Sequence, residues 1–251
     1  MSCVNIRGCC IGEGRPKVII PIVEPTETAI LKKAAEFSTL RADCVEWRID
    51  CFEGAKDLPA IVHCAAKLRV ALKDKLLLFT FRTKAEGGKV ALSHEEYLHF
   101  IRTVLATDCA DLIDIEFFTV GAELPALIEE AHTAGAAVVC SSHDFHKTPP
   151  RAELVSRMVA MQQAGADLPK LAVMPQSRAD VLELLAATAE MADRHPETPI
   201  ITMSMGALGA VSRLAGEAFG SAMTFANPGQ ASAPGQVSLE VVNEVLDALH
   251  L

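Results

Sequence analysis

Eight short runs of β-forming residues, separated by longer stretches with helical periodicity, constrain the fold of this 251-residue chain more than any other feature. Their regular alternation with helices favours an α/β fold, a closed (β/α)8 barrel, over an open doubly wound sheet. The predicted strands are 17–22, 44–49, 76–82, 112–117, 137–142, 169–174, 200–205 and 221–225.

Helix signals mark several boundaries between these strands. Predicted helices include 26–40, 93–106, 122–134, 151–164, 177–193 and 239–249. Ser93 with Glu96 forms a capping-box pattern, and Gly135 and Gly165 follow helix ends, where a left-handed residue is needed. No Pro/Gly-rich linker interrupts the series, so we expect one domain over 1–251, with residues before 17 forming a hairpin that closes the barrel floor.

Charge and hydropathy exclude several classes of function. The net charge is −9 and the basic residues are scattered, which argues against a nucleic-acid partner but not against a small anion. No apolar run approaches the roughly 18 residues that a membrane span requires, and residues 1–15 lack the apolar core of a signal peptide. We therefore expect a cytoplasmic protein that does not enter membranes.

Eight cysteines at irregular spacing contain no CxxC pair, and we expect all of them to be reduced, buried thiols. They are Cys3, Cys9, Cys10, Cys44, Cys51, Cys64, Cys109 and Cys140.

Alternation along each strand predicts which side chains face the barrel lumen. Large apolar residues, such as Val45, Trp47 and Ile49 in the second strand, should pack against the helices. The same parity turns a set of ionisable residues inward, mostly near the C-terminal strand ends where barrel enzymes keep their active sites. This set is Glu46, Arg48, Arg82, Asp114, Glu116, His143 and Lys170. Such charges must pair with one another or with a ligand; a purely structural ion-pair network is the alternative.

Lys170 is the most informative member, because lysine rarely occupies the middle of an apolar strand. Burial and neighbouring cations favour a neutral amine, which can attack a carbonyl to form an imine. The alternative is a salt-bridged lysine, with Glu46 or Glu116 as its partner.

His143 is the candidate proton carrier, since imidazole titrates near neutral pH. A metal site built from His143 and nearby carboxylates is a rival, but the cations in the same space disfavour a divalent ion, and no HExxH spacing occurs. Residues 226–236 (ANPGQASAPGQ) have the composition of a mobile loop over the barrel mouth, or of a merely irregular connection.

Several strings in order along nearly the whole chain resemble the type I 3-dehydroquinate dehydratases of the shikimate pathway. They are GEGRPKVII (12–20), VEWRID (45–50), FRTKAEGG (81–88), DIEF (114–117), SSHDFHKTP (141–149), LPKLAVMPQS (168–177), SMGALGAVSRLAGEAFGS (204–221) and SAPGQ (232–236).

The resemblance implies a (β/α)8 barrel, no metal or organic cofactor, a homodimer, and syn elimination of water from 3-dehydroquinate, the small-molecule partner. It implies that Lys170 forms the imine, that His143 is the general acid and base, and that Glu86 orients His143. The implied substrate contacts are Glu46, Arg48, Arg82, Arg213 (to the carboxylate), Ser232, Gln236, Met203, Met205 and Phe225. Two positions depart from the family pattern: Ser142, for which we expect little effect, and Pro21, which puts one substrate contact in doubt.

Two rival functions stay open at this point. A class I aldolase would use the same inward lysine but cleave a carbon–carbon bond; Arg213 with Ser232 and Gln236 suits a carboxylate and hydroxyls rather than a phosphate. A non-catalytic barrel that binds a small anion would not need Lys170 and His143 together.

Overall fold

Ten strands appear in a computed structural model that describes residues 2–229 and 233–251. An antiparallel pair, β1 (Val4–Ile6) and β2 (Cys9–Ile11), precedes the main sheet. The main-sheet strands are β3 (Lys17–Ile22), β4 (Cys44–Arg48), β5 (Leu76–Thr80), β6 (Leu112–Glu116), β7 (Ala137–Asp144), β8 (Leu168–Val173), β9 (Ile201–Ser204) and β10 (Met223–Phe225).

The main sheet is parallel throughout and curls into a ring. Its order is β10-β3-β4-β5-β6-β7-β8-β9. One isolated parallel bridge, between Ile200 and Ser221, joins the two end strands and closes the ring. The predicted α/β barrel is confirmed, and the predicted strand ends differ from the observed ones by at most two residues.

Helices connect successive strands on the outside of the ring. They are α1 (Glu27–Phe37), α2 (Leu58–Leu72), α3 (His94–Leu105), α4 (Phe117–Val120), α5 (Leu124–Thr133), α6 (Arg151–Gln163), α7 (Arg178–Arg194), α8 (Ala210–Leu214), α9 (Gly216–Phe219) and α10 (Leu239–Leu249). In this described part of the chain, no helix combines the length and apolar content needed to cross a membrane.

Side-chain caps begin five of these helices. The side chains of Thr26, Asp57, Ser93, Ser177 and Ser238 each accept a hydrogen bond from the backbone N–H three residues later. The predicted capping box of Ser93 is confirmed. Gly135 (φ 79°) and Gly165 (φ 100°) adopt the left-handed conformation that ends helices α5 and α6. These caps satisfy backbone groups that the helix ends leave unpaired.

Two apolar layers lie on opposite faces of the sheet, as the alternation predicts. Val45, Trp47 and Ile49 belong to the layer between strands and helices. The lumen of the barrel is filled from below by a second layer. This lumen layer includes Ile11, Ile19, Cys44, Leu76, Leu78, Leu112, Val139 and Leu168. Polar residues of β4 to β8 therefore project into the lumen only above an apolar plug, toward the C-terminal strand ends.

The N-terminal hairpin supplies part of that plug. Its strands join through Arg7 (φ 49°) and Gly8 (φ 81°), and fully buried Ile11 packs into the lumen layer. The predicted hairpin at the floor is thus confirmed.

The expectation that every cysteine is a free thiol was wrong for one pair. Cys3 and Cys10 form a disulfide across the hairpin, while the other six cysteines are free. The two sulfurs meet because hairpin pairing brings residues at the two ends of this segment together, with Cα atoms 5.8 Å apart.

Candidate active site

A cavity of about 220 Å³ opens at the C-terminal ends of the barrel strands. Of the twelve site residues that the family resemblance implied, eleven line this cavity, and Ser232 lies outside the described residues. The eleven are Glu46, Arg48, Arg82, Glu86, His143, Lys170, Met203, Met205, Arg213, Phe225 and Gln236. A second cavity, of about 250 Å³, lies at the floor and contains neither Lys170 nor His143.

Lys170 projects from the middle of β8 into the cavity, and only 3% of the residue is exposed. Its Nζ donates to Asp114 Oδ2 at 3.1 Å and lies 4.7 Å from the centre of the Phe225 ring. The sequence suggested Glu46 or Glu116 as an ionic partner, and the structure uses Asp114 instead. Because this amine is paired with a carboxylate, a proton must leave it before nitrogen can attack a carbonyl carbon.

Asp114 stays ionised despite complete burial. Its carboxylate accepts hydrogen bonds from Lys170 and from Ser141 Oγ (2.6 Å), and it lies 2.8 Å from the Arg82 guanidinium. Burial opposes ionisation, but the charges of Arg82 and Lys170 and the Ser141 hydroxyl outweigh it and lower the pKa of Asp114 to about 2.

Arg82 sits between three carboxylates. Its guanidinium lies 3.5 Å from Glu86, 2.8 Å from Asp114 and 3.0 Å from Glu116. Burial works against the charged form, but these carboxylates raise the pKa of Arg82 above its ordinary value. Arg82 therefore remains a fixed cation at the cavity wall.

His143 is held by Glu86 at two points. Glu86 Oε2 lies 2.8 Å from His143 Nδ1 and accepts the His143 backbone N–H at 3.1 Å. The backbone bond marks this oxygen as an acceptor, so Nδ1 carries the ring proton and Nε2 keeps its lone pair. Burial, with Arg82, Lys170 and Arg48 nearby, lowers the pKa of His143 well below its usual value.

Glu86 itself is a poor acid for a carboxyl group. Burial, chiefly, and the neighbouring Glu116 and Asp114 raise the pKa of Glu86 to about 8, although Arg82 opposes the shift. Glu86 and His143 consequently gain or lose a proton as one unit near neutral pH.

Arg48 and Glu46 reach the cavity from β4. Arg48 forms two hydrogen bonds to Asp50, through Nε at 2.8 Å and a terminal nitrogen at 2.9 Å. Glu46 accepts the Thr80 hydroxyl at 2.9 Å, which leaves it as an acceptor at the wall of the cavity. These donors and acceptors suit a small ligand that carries several hydroxyl groups.

Arg213 is a buried cation without a carboxylate partner among the described residues. It is 1% exposed and donates to Pro234 O at 3.3 Å and toward Met203 Sδ at 3.5 Å, while its Nε has no partner in that part of the chain. Burial lowers the pKa of Arg213 to about 10. A guanidinium in this state calls for an anionic ligand.

The sequence analysis did not name Phe145 or Asp50 as contributors to the site. Phe145 lines the cavity, with its ring stacked 6.5 Å from the His143 ring. Asp50 holds Arg48, and its position two residues beyond an inward arginine is the only signal that could have indicated it. The departures named above lie elsewhere: Pro21 borders a separate cavity of about 100 Å³, and Ser142 does not line the active-site cavity.

Within residues 2–229 and 233–251, the one close group of three or more histidine, cysteine or acidic side chains is Cys3, Cys10 and Glu13 at the hairpin, and its two cysteines are joined in the disulfide.

Comparison with known proteins agrees with this arrangement. The family model for type I 3-dehydroquinase matches residues 18–251. The 3-dehydroquinate dehydratase of Bacillus subtilis is 48% identical over 250 residues, covering 100% of this chain and 98% of that protein. The one from Salmonella typhimurium is 45% identical over 250 residues, covering 100% and 99%.

Solved structures give the same answer. The type I 3-dehydroquinate dehydratase of Clostridium difficile, solved with covalent modified comenic acid, superposes with a TM-score of 0.96 at 44% identity, covering 99% of this chain and 98% of that one. With this geometry and these relatives, the chain belongs to the type I 3-dehydroquinase family.

Proposed function

We propose that this chain dehydrates 3-dehydroquinate to 3-dehydroshikimate through an imine on Lys170. The observation that carries the proposal is that a buried amine (Lys170) and a partly buried neutral imidazole (His143) open into one cavity. A barrel that only bound an anion would gain nothing from keeping both groups together.

Imine formation begins with loss of a proton from Lys170. The neutral His143 ring is the available acceptor in the same cavity. The amine then adds to the C3 ketone, and His143 returns the proton to the carbinolamine hydroxyl, which leaves as water and gives a protonated imine and a neutral His143 ring. Asp114 lies beside this nitrogen and offsets its positive charge throughout.

Elimination uses the imine as an electron sink. His143 Nε2 removes a C2 proton, and the C–H electrons form an enamine while the imine nitrogen becomes neutral. The enamine then expels the C1 hydroxyl, to which His143 returns a proton, so that water leaves and the protonated imine re-forms. Water hydrolyses that imine, releasing the product and the Lys170 amine.

Substrate orientation falls to the unpaired cation and the polar wall of the cavity. We assign the substrate carboxylate to Arg213, because its guanidinium is buried without a carboxylate partner in the described chain. Glu46, Arg48 and Arg82 contact hydroxyl groups, and Met203, Met205 and Phe225 form the apolar side. Gln236 lines the cavity from the 233–236 side; the assigned role of Ser232 stays a prediction.

Trapping with borohydride tests the imine. We expect borohydride with 3-dehydroquinate to inactivate the enzyme and to add a substrate-derived mass to the peptide that contains Lys170. Lys147→Ala, at an exposed lysine near the mouth, is the control and should label like the unchanged enzyme. Activity that survives the treatment, or Lys170→Ala with full activity, would remove the imine from the proposal.

The product distinguishes dehydration from aldol cleavage. A dehydratase returns one product that keeps every carbon and contains a new conjugated double bond, whereas an aldolase returns two fragments. Mass spectrometry of the reaction mixture separates these outcomes.

We further propose that the chain acts as one domain over 1–251 and in the cytoplasm, as its sequence pattern and composition suggest, and as a homodimer, as the family resemblance implies. Light scattering of the purified protein would measure the dimer, and a monomeric mass at assay concentration would remove that part.

A further inference from the structure

Asp50 is a buried carboxylate that none of the catalytic steps uses. It follows β4 in a short 3₁₀ turn, Ile49–Cys51, and only 2% of the residue is exposed. An isolated buried carboxylate is costly, so its partners indicate what it stabilises.

Four nitrogen donors converge on Asp50, two from the Arg48 side chain and two from the backbone of Arg82 and Lys89, and the Cys51 thiol lies 3.9 Å from Oδ2. Oδ1 accepts Arg48 Nε at 2.8 Å and the Arg82 backbone N–H at 3.3 Å. Oδ2 accepts a terminal Arg48 nitrogen at 2.9 Å and the Lys89 backbone N–H at 3.2 Å. Each oxygen therefore accepts one nitrogen of the Arg48 side chain and one backbone N–H.

The two backbone donors are the ends of one tight loop. Between Arg82 and Lys89 the chain folds back on itself, with the Gly88 N–H donating to Thr83 O at 2.8 Å. A Cβ at Gly88 would lie 1.8 Å from Arg82 O, so the backbone segments there are in close contact. Glu86, which holds His143, lies within this loop.

We propose that Asp50 is a positioning residue that holds the Arg48 guanidinium at the cavity and fixes the 82–89 loop that carries Glu86. The inference about Arg48 rests on the proposed function, in which Arg48 contacts substrate hydroxyls. Through the loop, Asp50 also sets the place of the Glu86 carboxylate against His143. One carboxylate thus joins a substrate-contact side chain to the pair that moves protons.

Asp50→Asn is the direct test, because the amide replaces one acceptor oxygen with an NH2 group. This group cannot accept a hydrogen bond from the N–H groups that face it. Asp111→Asn is a matched control. Asp111 is also buried and also accepts an arginine (Arg69, 2.6 Å) and a backbone N–H (Leu77, 2.8 Å), but at the floor of the barrel.

We expect Asp50→Asn to lower kcat/KM by about 10²-fold, since misplacement of about 1 Å has consequences of that size. KM should rise through Arg48, and kcat should fall through Glu86. Asp111→Asn should lower Tm while kcat and KM stay within about twofold of the original values. A loss of kcat/KM in Asp50→Asn no larger than in the control would overturn the proposal.

A double-mutant cycle asks whether Asp50 acts through Arg48. If it does, KM in the double variant Arg48→Ala/Asp50→Asn should be no higher than in Arg48→Ala alone. If the increase in KM of the double variant equals the product of the two single increases, Asp50 does not act through Arg48, and that part of the proposal is overturned. If Arg48→Ala leaves KM unchanged, the proposed substrate contact of Arg48 fails, and an unchanged kcat in Asp50→Asn would then overturn the role of the loop as well.

Asp50→Glu keeps the test available if the asparagine variant does not fold. It retains the charge, but its carboxylate stands one methylene further out and cannot meet all four donors. We expect kcat/KM clearly below that of the original enzyme, and an unchanged kcat/KM would overturn the proposal.

Discussion

Replacement of Glu86 by Gln should move the pH dependence of the enzyme in a defined direction. The Glu86–His143 unit takes up a proton with a pKa of about 8, and that proton removes the acceptor that keeps Nε2 of His143 basic. In Glu86→Gln only His143 titrates, and its pKa lies well below 6.5. The acid limb of kcat/KM should therefore shift to lower pH by more than about one unit.

The structure also sets the size of the effect. With a pKa of about 8, Glu86 is ionised beside a neutral His143 in about a tenth of the free enzyme at pH 7, so kcat/KM should rise roughly tenfold between pH 7 and alkaline pH. The variant should lack this rise. The maximal kcat/KM of the variant should be about 10- to 10²-fold lower than that of the original enzyme, because the variant loses part of the rate enhancement that a positioned base provides.

The assay is the initial rate of formation of the conjugated product, followed by ultraviolet absorbance between pH 5.5 and 9.5 in buffers of constant ionic strength. Glu123→Gln is the control, because Glu123 pairs with His94 at the surface and should leave the profile unchanged. An acid limb at the same pH in Glu86→Gln as in the original enzyme would refute the reasoning.

Three further outcomes are expected. Arg213→Met should raise KM at least 10²-fold, because the proposed partner of the substrate carboxylate is lost. It should also raise Tm by several degrees, because the lowered pKa of Arg213, about 10, corresponds to about 3 kcal/mol of cost for burying the charge. A lower Tm in calorimetry would contradict this. Asp114→Asn should be less stable than the original chain above pH 4, and urea titrations should show that about 2 kcal/mol of the difference disappears as pH falls toward 2, because the folded-state pKa is depressed to about 2. A gap independent of pH would contradict it. Chelators should leave the rate unchanged, and a loss restored by added metal would overturn the metal-free mechanism.

Much of the site could be predicted because strand alternation reports the direction of a side chain. Lys170, Glu46 and Arg82 face the lumen for the same reason that Trp47 and Phe79 face the helices: a one-residue change of register would exchange all of them. Alternation does not report height along the barrel or the reach of a side chain. The predicted partner of Lys170 was therefore wrong: Asp114, Glu116 and Glu46 all face the lumen, and alternation does not say which of them the amine reaches.

Contacts made by turns were beyond this reasoning. Asp50 meets Lys89 only because the 82–89 loop folds back, and Cys3 meets Cys10 only through the pairing of β1 with β2. Helix α2 was absent from the predicted set because apolar residues spread around much of its surface, which weakens the helical pattern.

The ring of strands has a seam. Between β9 and β10 the described backbone makes one ladder contact, from the Ala222 N–H to Ile200 O at 2.8 Å, and the Thr202 N–H turns to the Ser221 hydroxyl at 3.1 Å. The other neighbouring strands pair over three or more residues. Met203 and Phe225 line the cavity from these two strands, so the apolar side of the cavity borders the place where a single backbone bridge closes the ring.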